Sequence, residues 1–344
     1  MKKVYVFCPY GLVTGGSDAL HQLVYYVNQI QPIAHIVYTD ISKKGKAIPK
    51  PYQIYVKDYL LRSEVEDSPD NEIIVPETRT FYLPDYPLSK KFIWWLSVNN
   101  NADSGGVKKS ESFIRKLFSN GTMKKIFSGY YTPDRIKEFL RNKPYDFAKE
   151  DLKITHLCAS AYALSYVSSR TKNPAFSFVE PISLFYLKKG EYTGGTREKR
   201  ILYNPKKNPS FYKSLLKKNS GLSFVPLKGY NQKQLLSLYR TSILYIDFGS
   251  FPGQERIPKE AIYNGCLVLT GTNGASFFHQ DVPIPKEDKI ESKKENIALI
   301  YKRIQELMDH YDEYVSSFSE YRKMVKETEG RFVESIQTIL LSSI

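Results

Sequence analysis

The stretch LYIDFGSFPGQERIPKEAIYNGCLVLTG, residues 244 to 271, contains two short apolar runs separated by a segment rich in glycine and proline. The runs 243–248 and 266–270 are rich in β-branched and aromatic residues, which favours buried strands. Between them, Pro258 suits the first position of a helix, Glu260 would lie in its first turn, and Gly265 would end it. The stretch therefore predicts a strand, a loop, a helix and a second strand.

Strands joined by a helix are expected to be parallel, with a right-handed crossover. The loop from Gly249 to Arg256 would then follow the carboxyl end of the first strand, where open α/β sheets bind ligands. Gly253 permits close approach of the backbone, the helix N-terminus favours phosphate, and Glu260 can accept hydrogen bonds from ribose hydroxyls. The alternative is that Arg256 and Glu260 only pair along the helix.

Length and apolar patterning predict two domains without a membrane anchor. The chain of 344 residues is longer than one hydrophobic core usually supports. No apolar run reaches the ~20 residues that span a bilayer, and FIWWLSV at 92–98 is far too short. The start, MKKVYVFCPYG, lacks the apolar region and cleavage site of a signal peptide. A cytoplasmic protein is therefore expected.

The cysteines and histidines show no metal-binding pattern. Cys8, Cys158 and Cys266 lie in or beside apolar strand-like segments, and we interpret them as small core residues. The five histidines have no ligand spacing, and DSPD at 67–70 does not match an Asp-x-Asp motif. No metal and no cofactor are expected.

The formal net charge of +14 indicates a negatively charged partner. Candidates are a nucleic acid, an anionic membrane surface and a polyanionic small molecule. The lysines are dispersed among acidic residues and no nucleic-acid motif is visible, so no nucleic-acid partner is expected. A peripheral contact with the inner face of an anionic membrane stays open.

The chain begins with a strand-like run at 4–8, which is followed by GLVTGGSDALHQLVYYVNQ. Gly15 and Gly16 are predicted to form a turn just before a helix, with Ser17 or Asp18 as the N-cap. Apolar residues at 20, 23, 24 and 27 have helical spacing. The amides of such a turn suit an anion or a sugar hydroxyl, or the turn serves only to cap the helix.

Strand candidates alternate with helical or polar stretches along the rest of the chain. In the first half the strands are HIVYTD, EIIVPE, KFIWWLSV and ITHLCAS, and 110–121 is helix-like. In the second half the strands are RILYNP, LSFVPLKG, SILYIDFG and CLVLTG. Helices are predicted after Asn231, which would cap the first of them, at Pro258, from 297 to 311 and from 331. Two α/β domains, 1–178 and 179–344, are predicted.

With these elements assigned, the chain resembles GT-B glycosyltransferases, and more closely a group of bacterial enzymes of polysaccharide and lipopolysaccharide synthesis. The resemblance rests on TGGSDALHQLVYYVN near the start, WWLSVNNN at 94–101, YNPKK at 203–207 and IDFGSFPGQERIPKEA at 246–261. It implies two Rossmann-like domains facing a cleft, with C-terminal helices crossing back to the first domain. It also implies a nucleotide-sugar donor held mainly by the C-terminal domain, and a glycan or lipid-linked acceptor held by the N-terminal domain.

The candidate site residues form three groups. On the first helix, His21 is preferred over Asp18 as a catalytic base, because the unperturbed pKa of histidine lies near neutrality. Each also has a structural interpretation, Asp18 as an N-cap and His21 as a packed side chain. The donor-binding candidates are Gly15, Gly16, Tyr203, Asn204, Lys206, Lys207, Gly253, Arg256 and Glu260, and the acceptor-side candidates are Ser97, Asn99 and Asn100.

Two positions depart from the pattern of these enzymes. Retaining members of the wider superfamily have an acidic residue eight positions before the helix glutamate, where this chain has Pro252. In related enzymes the WWLSV strand is followed by an aspartate, where this chain has Asn99. The stereochemical outcome of transfer is therefore left open.

The leading hypothesis is a metal-independent hexosyltransferase acting in surface polysaccharide synthesis. Lysines, an arginine and helix amides would stabilise the leaving diphosphate. The first alternative, indicated by Asn99 and Pro252, is a catalytically impaired relative that binds a nucleotide or a sugar. The second alternative is a nucleic-acid-binding protein.

Overall fold

The computed structural model describes residues 2–102, 141, 143–151, 153–192, 194–217 and 221–341. The chain divides into two compact units. The first unit comprises Met1–Ala159, Ala163–Glu180 and Ser335–Ile344, and the second comprises Ser160–Tyr162 and Pro181–Glu334. The helix-like segment 110–121 of the sequence lies outside the described residues.

The first unit contains a seven-stranded parallel sheet with the strand order β3-β2-β1-β4-β5-β6-β7. Every residue of β1 and β4 is buried, as expected for parallel strands that are covered on both faces. The strands are β1 (Val4–Cys8), β2 (Ala34–Tyr38), β3 (Leu60–Leu61), β4 (Glu72–Pro76), β5 (Lys90–Trp95), β6 (Ile154–Cys158) and β7 (Ala175–Ser177).

The second unit contains a four-stranded parallel sheet with the order β11-β10-β8-β9. Its strands are β8 (Glu198–Tyr203), β9 (Ser223–Pro226), β10 (Ser242–Asp247) and β11 (Leu267–Thr270). Both sheets are parallel and are interleaved with helices, so the predicted α/β class with two Rossmann-like units is confirmed.

The helices connect these strands and extend to the end of the described chain. The α-helices are α1 (Gly15–Ile30), α2 (Val98–Ala102), α3 (Ala161–Ser168), α4 (Leu184–Leu187), α5 (Pro209–Leu215), α6 (Gln232–Thr241), α7 (Arg256–Tyr263), α8 (Ile297–Asp309), α9 (Tyr311–Tyr314) and α10 (Ser319–Ser335). A π-helical segment, Ile336–Leu341, follows α10. In the part of the chain that the structure describes, no helix has the length and apolar character needed to cross a bilayer.

Short 3₁₀ turns occupy several of the connections. They lie at Lys50–Tyr52, Arg62–Glu64, Thr80–Asp85, Phe147–Lys149, Gly274–Phe277, Lys286–Asp288, Lys294–Asn296 and Val315–Phe318.

Helix α1 begins earlier than the sequence predicts. Thr14 is its N-cap, with an extended backbone and a side chain that accepts a hydrogen bond from the Ser17 amide. Gly15 and Gly16 are therefore the first residues of the helix, and the predictions of a preceding glycine turn and of a cap at Ser17 or Asp18 are wrong. Threonine is a favoured N-cap residue, so the signal was present one turn upstream.

The stretch 244–271 folds as a strand, a loop, a helix and a strand, as predicted, with shifted boundaries. Helix α7 begins at Arg256, so Pro258 is its third residue and Glu260 lies beyond the first turn, contrary to the prediction. Proline is tolerated there because the first four amides of a helix have no intrahelical acceptor. Gly265 has φ +86 just after the helix, a left-handed conformation that favours glycine.

Other predicted local features are confirmed. Asn231 caps α6, and its side chain forms a capping box with Gln234. Cys8, Cys158 and Cys266 are buried in the cores. At the C-terminus, residues 335–344 group with the first unit, and Lys2 Nζ donates to the Leu340 carbonyl at 2.6 Å.

Candidate functional site

The second unit has a topological switch point between β8 and β10. β9 follows β8 on one side, and β10 and then β11 follow on the other side, so the direction of strand addition reverses between β8 and β10. In open α/β sheets, ligands bind outside the carboxyl ends of the strands at such a point. The loops after β8 and β10 contain YNPKK and GSFPGQE, the segments that the sequence singles out.

The loop after β8 is a polar turn. Tyr203 is nearly buried at the end of the strand. The Asn204 side chain accepts from the Lys206 amide at 3.1 Å, and its carbonyl accepts from the Lys207 amide at 3.2 Å. This turn leaves Lys206 exposed to solvent and directs Lys207 towards the neighbouring loop.

Lys207 joins the two loops through carboxylates. Its Nζ lies 2.6 Å from Glu255 Oε2 and 3.3 Å from Asp247 Oδ2. Asp247 is fully buried at the end of β10, and only about a fifth of the Lys207 and Glu255 side chains is exposed (20% and 21%). Burial lowers the pKa of Lys207, but the two carboxylates raise it above its ordinary value, so the lysine is charged.

Asp247 is held in place by two further donors. Its Oδ2 accepts from the Tyr245 hydroxyl at 2.8 Å, and its Oδ1 accepts from the Gly249 amide at 3.0 Å. A Cβ atom at Gly249 would lie 2.9 Å from Asp247 Oδ1, so the loop needs a glycine at this position. Neither Asp247 nor Glu255 is among the predicted site residues, although an acidic residue at the end of an apolar strand is a recognisable signal.

Two strained residues flank this cluster. Asn208 (φ 50) and Phe251 (φ 42) are the only non-glycine residues with positive φ among those that the structure describes. The Asn208 side chain donates to the Phe248 carbonyl at 3.0 Å, and the Phe251 carbonyl accepts from Ala275 at 2.9 Å. Left-handed backbone at non-glycine residues is found preferentially at functional sites. Asn208 lies in the loop after β8, and Phe251 lies in the loop after β10.

Gly253, Arg256 and Glu260 lie in the second loop and on α7. Gly253 is buried in the loop just before the helix. Arg256 Nη2 lies 3.7 Å from Glu260 Oε1, which is the helical pair that the sequence analysis gave as an alternative. Glu260 Oε2 also accepts from the hydroxyl of the buried Tyr239 at 3.4 Å. The carboxylate is thus positioned by one cationic and one neutral donor.

The first unit has its own switch point between β1 and β4, the neighbours in the sheet where strand order reverses. Gly15 and Gly16 begin α1, which follows β1. A Cβ atom at Gly16 would lie 3.6 Å from Leu96 Cδ1, an ordinary contact, so this glycine is not required by the space around it.

His21 is a buried residue of the first unit. Its Nδ1 lies 2.6 Å from the Ser17 carbonyl, its Nε2 lies 2.9 Å from the Tyr38 hydroxyl, and its ring stacks on Tyr52. Burial lowers the pKa of His21 to about 4. The reason for preferring it as a base, a pKa near neutrality, is therefore wrong for the folded protein.

Asp18, one turn before His21 on α1, is also buried. Its Oδ2 accepts from Gln22 Nε2 at 2.6 Å and from the Tyr55 hydroxyl at 3.3 Å. Asp18 is not the N-cap, which removes the structural interpretation that the sequence analysis gave it. It is a carboxylate inside a hydrogen-bonded network near the start of α1.

Ser97, Asn99 and Asn100 lie at the end of β5 and in α2, beside a residue that the sequence analysis missed. Glu77 directly follows β4 and is buried; its Oε2 accepts from the Leu96 amide at 3.1 Å and its Oε1 from Asn100 Nδ2 at 3.4 Å. Burial raises the pKa of Glu77 to about 7. A carboxyl group immediately after a buried strand at the switch point was the available signal.

No protein-family model matches the sequence, and no curated protein sequence matches it. Solved structures are similar in fold. HepE from Anabaena, in complex with UDP-glucose, has a TM-score of 0.58 at 9% identity, with 100% of each chain covered. The T4 phage BGT in complex with UDP and Mn²⁺ has a TM-score of 0.51 at 10% identity, with 98% of this chain and 99% of that chain covered.

TarM has a TM-score of 0.50 at 15% identity, and the match covers 79% of this chain. The chain spans only 55% of the length of TarM. At these identities the comparisons establish a shared fold. The chain has the fold of the GT-B glycosyltransferases, as the sequence resemblance predicts.

Proposed function

We propose that this chain is a glycosyltransferase that moves a hexosyl group from a nucleotide-sugar donor to a glycan or lipid-linked acceptor in surface polysaccharide synthesis. The donor is bound by the second unit and the acceptor by the first. The protein acts in the cytoplasm, with a peripheral contact at the inner face of the membrane. HepE, which shares the fold, was solved with UDP-glucose, which supports a nucleotide sugar as the donor.

The observation that carries the proposal is the convergence of two loops at the switch point of the second unit. Lys207, in the loop after β8, forms ion pairs with Asp247, the last residue of β10, and with Glu255 in the loop that follows β10. Both loops also contain a strained non-glycine residue. The carboxyl ends of strands at a topological switch point, here β8 and β10, are where open α/β sheets bind nucleotides.

The two lysines have different roles in this proposal. Lys207 is engaged by two carboxylates, so we assign it to holding the loops together rather than to the diphosphate. Exposed Lys206, Arg256 and the amides at the start of α7 stabilise the charge of the leaving group. We further propose that transfer needs no divalent metal ion; full activity in the presence of a chelator would support this, and activity restored by Mn²⁺ would overturn it.

In the first unit we propose that Ser97, Asn99 and Asn100 face the acceptor and that Asp18 is the catalytic base. His21 is a weaker candidate, because a pKa of about 4 leaves it neutral and weakly basic at pH 7. The test of the function is calorimetric titration of the full chain with UDP, GDP, CMP and TDP, followed by assays of donor hydrolysis and transfer. Absence of binding to all four would overturn the proposal.

Lys206→Ala is expected to weaken binding of the preferred nucleoside diphosphate about tenfold. The lysine is exposed, and one charge-assisted hydrogen bond to a phosphate is worth about 1.5–3 kcal/mol before screening by solvent reduces it. Calorimetric titration of the variant measures the change. Lys199→Ala, which removes an exposed lysine near the amino end of β8, is the control and should bind like the wild type. Equal affinities for both variants would remove Lys206 from the site.

Glu260→Gln is expected to weaken donor binding by about 1.5–3 kcal/mol, because two ribose hydroxyls would lose a charged acceptor. The measurement is titration with the nucleoside diphosphate and with its 2′-deoxy form. If Glu260 contacts the ribose, the penalty for the deoxy form shrinks in the variant.

Glu306→Gln is the matched control for Glu260→Gln. Glu306 lies on α8 and, like Glu260, is contacted by an arginine and a tyrosine hydroxyl, from Arg303 and Tyr314. Its replacement should leave nucleotide affinity unchanged. A deoxy penalty that is equal in the wild type and in Glu260→Gln would restrict Glu260 to its pairing with Arg256.

A binding protein without transferase activity is the second candidate. It is favoured by the lowered pKa of His21 and by Asn99 at the position where the related enzymes have an aspartate. Tight nucleotide binding without hydrolysis or transfer, with every acceptor tried, would establish it.

A further inference from the structure

A basic groove lies in the second unit, outside the proposed donor site. It has a volume of about 450 Å³ and is lined by Glu191, Ser316, Ser319, Arg322, Lys323 and Lys326, with Val315 at one side. The hydroxyl groups of Ser316 and Ser319 supply neutral donors. Three cations face one carboxylate, so the groove carries an excess of positive charge.

The groove is lined by residues outside the loops that follow β8 and β10. Arg322 lies near Tyr311, whose hydroxyl donates to the Gly265 carbonyl at 2.8 Å, just before β11. This part of the groove is thus near the amino end of β11, whereas the donor loops follow carboxyl ends. No residue that lines the groove belongs to the proposed donor site.

Arg322 has an incomplete set of acceptors. Only 10% of its side chain is exposed, and Nη2 donates to the Val315 carbonyl at 2.7 Å. Its Nε lies 3.8 Å from Glu191 Oε1, a long contact, and buried Nη1 has no acceptor. A buried guanidinium N–H without an acceptor is costly, and the oxygens of a phosphate group pair well with the N–H groups of an arginine.

The exposed lysines are weakly engaged. Lys326 Nζ lies 3.6 Å from Glu191 Oε2, and Lys323 Nζ lies 3.9 Å from Glu327 Oε1. Exposed pairs at these distances contribute little, so both ammonium groups can turn to a stronger anion at small cost. A dianion matches the surplus of two positive charges among the lining residues.

We propose that the basic groove binds a phosphate monoester group. Arg322 donates to one phosphate oxygen, and Lys323 and Lys326 neutralise the charge. The Ser319 hydroxyl donates to another oxygen, and the Ser316 hydroxyl does so after it leaves the Glu313 carbonyl, to which it donates at 3.4 Å. A phosphorylated small molecule and the headgroup of phosphatidic acid offer the same group. The proposal does not depend on the glycosyltransferase assignment.

The test is calorimetric titration of the full chain with inorganic phosphate, and sedimentation with vesicles of phosphatidylcholine containing phosphatidic acid. Lys323→Gln with Lys326→Gln is expected to weaken phosphate binding about tenfold or more. Both side chains are exposed (75% and 67%), so the double variant should fold. Binding should also weaken as ionic strength rises.

A matched double variant identifies the site. Lys294→Gln with Lys302→Gln makes the same charge change on exposed lysines outside the groove. It should bind phosphate like the wild type. Pelleting with phosphatidic acid vesicles that free phosphate reverses would identify a headgroup, and phosphate binding without pelleting would identify a soluble ligand. No phosphate binding by the wild type, or equal binding by the double variant, would overturn the proposal.

Discussion

Lys207→Met is expected to destabilise the second unit by about 3–5 kcal/mol, since it leaves buried carboxylates without their cation. Asp247 is fully buried and Glu255 is 21% exposed, and Lys207 contacts both within 3.3 Å. Burial raises the pKa of Glu255 above its ordinary value, and removal of the lysine would raise it further. The free energy of unfolding, measured by urea denaturation at pH 7, reports the change.

The matched control is Lys199→Met, which removes the same charge from an exposed pair. Lys199 Nζ lies 2.5 Å from Asp309 Oδ1, and 65% of the lysine side chain is exposed. Exposed pairs contribute at most about 1 kcal/mol, so this variant should be nearly as stable as the wild type. Comparing the two variants separates the effect of burial from the effect of distance, because the exposed Lys199–Asp309 pair has the shorter N···O distance.

A second substitution tests the mechanism of the loss. Adding Glu255→Gln to Lys207→Met removes one of the two uncompensated charges, so stability should be partly recovered. Lowering the pH should reduce the deficit of the single variant, because the pKa of Glu255 is raised by burial and its protonation removes one uncompensated charge. A Lys207→Met protein as stable as the Lys199→Met protein would show that the cluster does not hold the loops together.

Local patterns predicted most of the sheet. The strands that begin at Val4, Glu72 and Ser242 consist mostly of apolar residues and are buried on both faces. Continuous apolar runs of this kind are typical of parallel strands. Leu60–Leu61 and Ala175–Ser177 were missed, because a strand of two or three residues has no periodicity to detect. These two short strands form only because β3 pairs with β2 and β7 pairs with β6.

Long-range contacts could not be predicted in the same way. Lys207 meets Asp247 only because β8 and β10 are neighbours, and the strand order cannot be read from either segment alone. The pKa values of His21 and Glu77 are set by burial, which depends on the packed fold. The prediction that residues 206–207 follow a strand is confirmed, since β8 ends at Tyr203, but the contacts of Lys207 with Asp247 and Glu255 were not predicted.

Glu77→Gln is expected to stabilise the first unit at pH 8. The free energy of unfolding of the variant minus that of the wild type should be about 3 kcal/mol larger at pH 8 than near pH 4.5. Burial raises the pKa of Glu77 from an ordinary 4.5 to about 7, although hydrogen bonds from Leu96, Asn100 and Ser97 lower it. A raised pKa means that the folded state holds the proton more tightly. The stability from protonated Glu77 is complete below pH ~4.5 and is lost as the pH rises through about 7.

The magnitude follows from the shift of about 2.5 pKa units, the difference between 7 and 4.5, at about 1.36 kcal/mol per unit. Glutamine has no charge to bury, and its carbonyl can still accept from the Leu96 amide. Among the residues that the structure describes, the amides of Leu96 and Ser97 and the Asn100 side chain donate to Glu77, and all three donors are neutral.

The measurement for Glu77→Gln is urea denaturation of the wild type and the variant at several pH values between 4.5 and 8, monitored by the fluorescence of buried Trp94 and Trp95 in the first unit. Glu66→Gln is the control, because Glu66 is 62% exposed and its pKa is lowered, chiefly by a hydrogen bond from Lys3. That variant should show no stabilisation at pH 8. If the difference between Glu77→Gln and the wild type is the same at pH 5 and pH 8, Glu77 does not titrate in this range. If Glu77→Gln raises the free energy of unfolding at pH 8 and also weakens acceptor binding, then the buried charge of Glu77 destabilises the fold but holds residues 96–100 in the position that binds the acceptor.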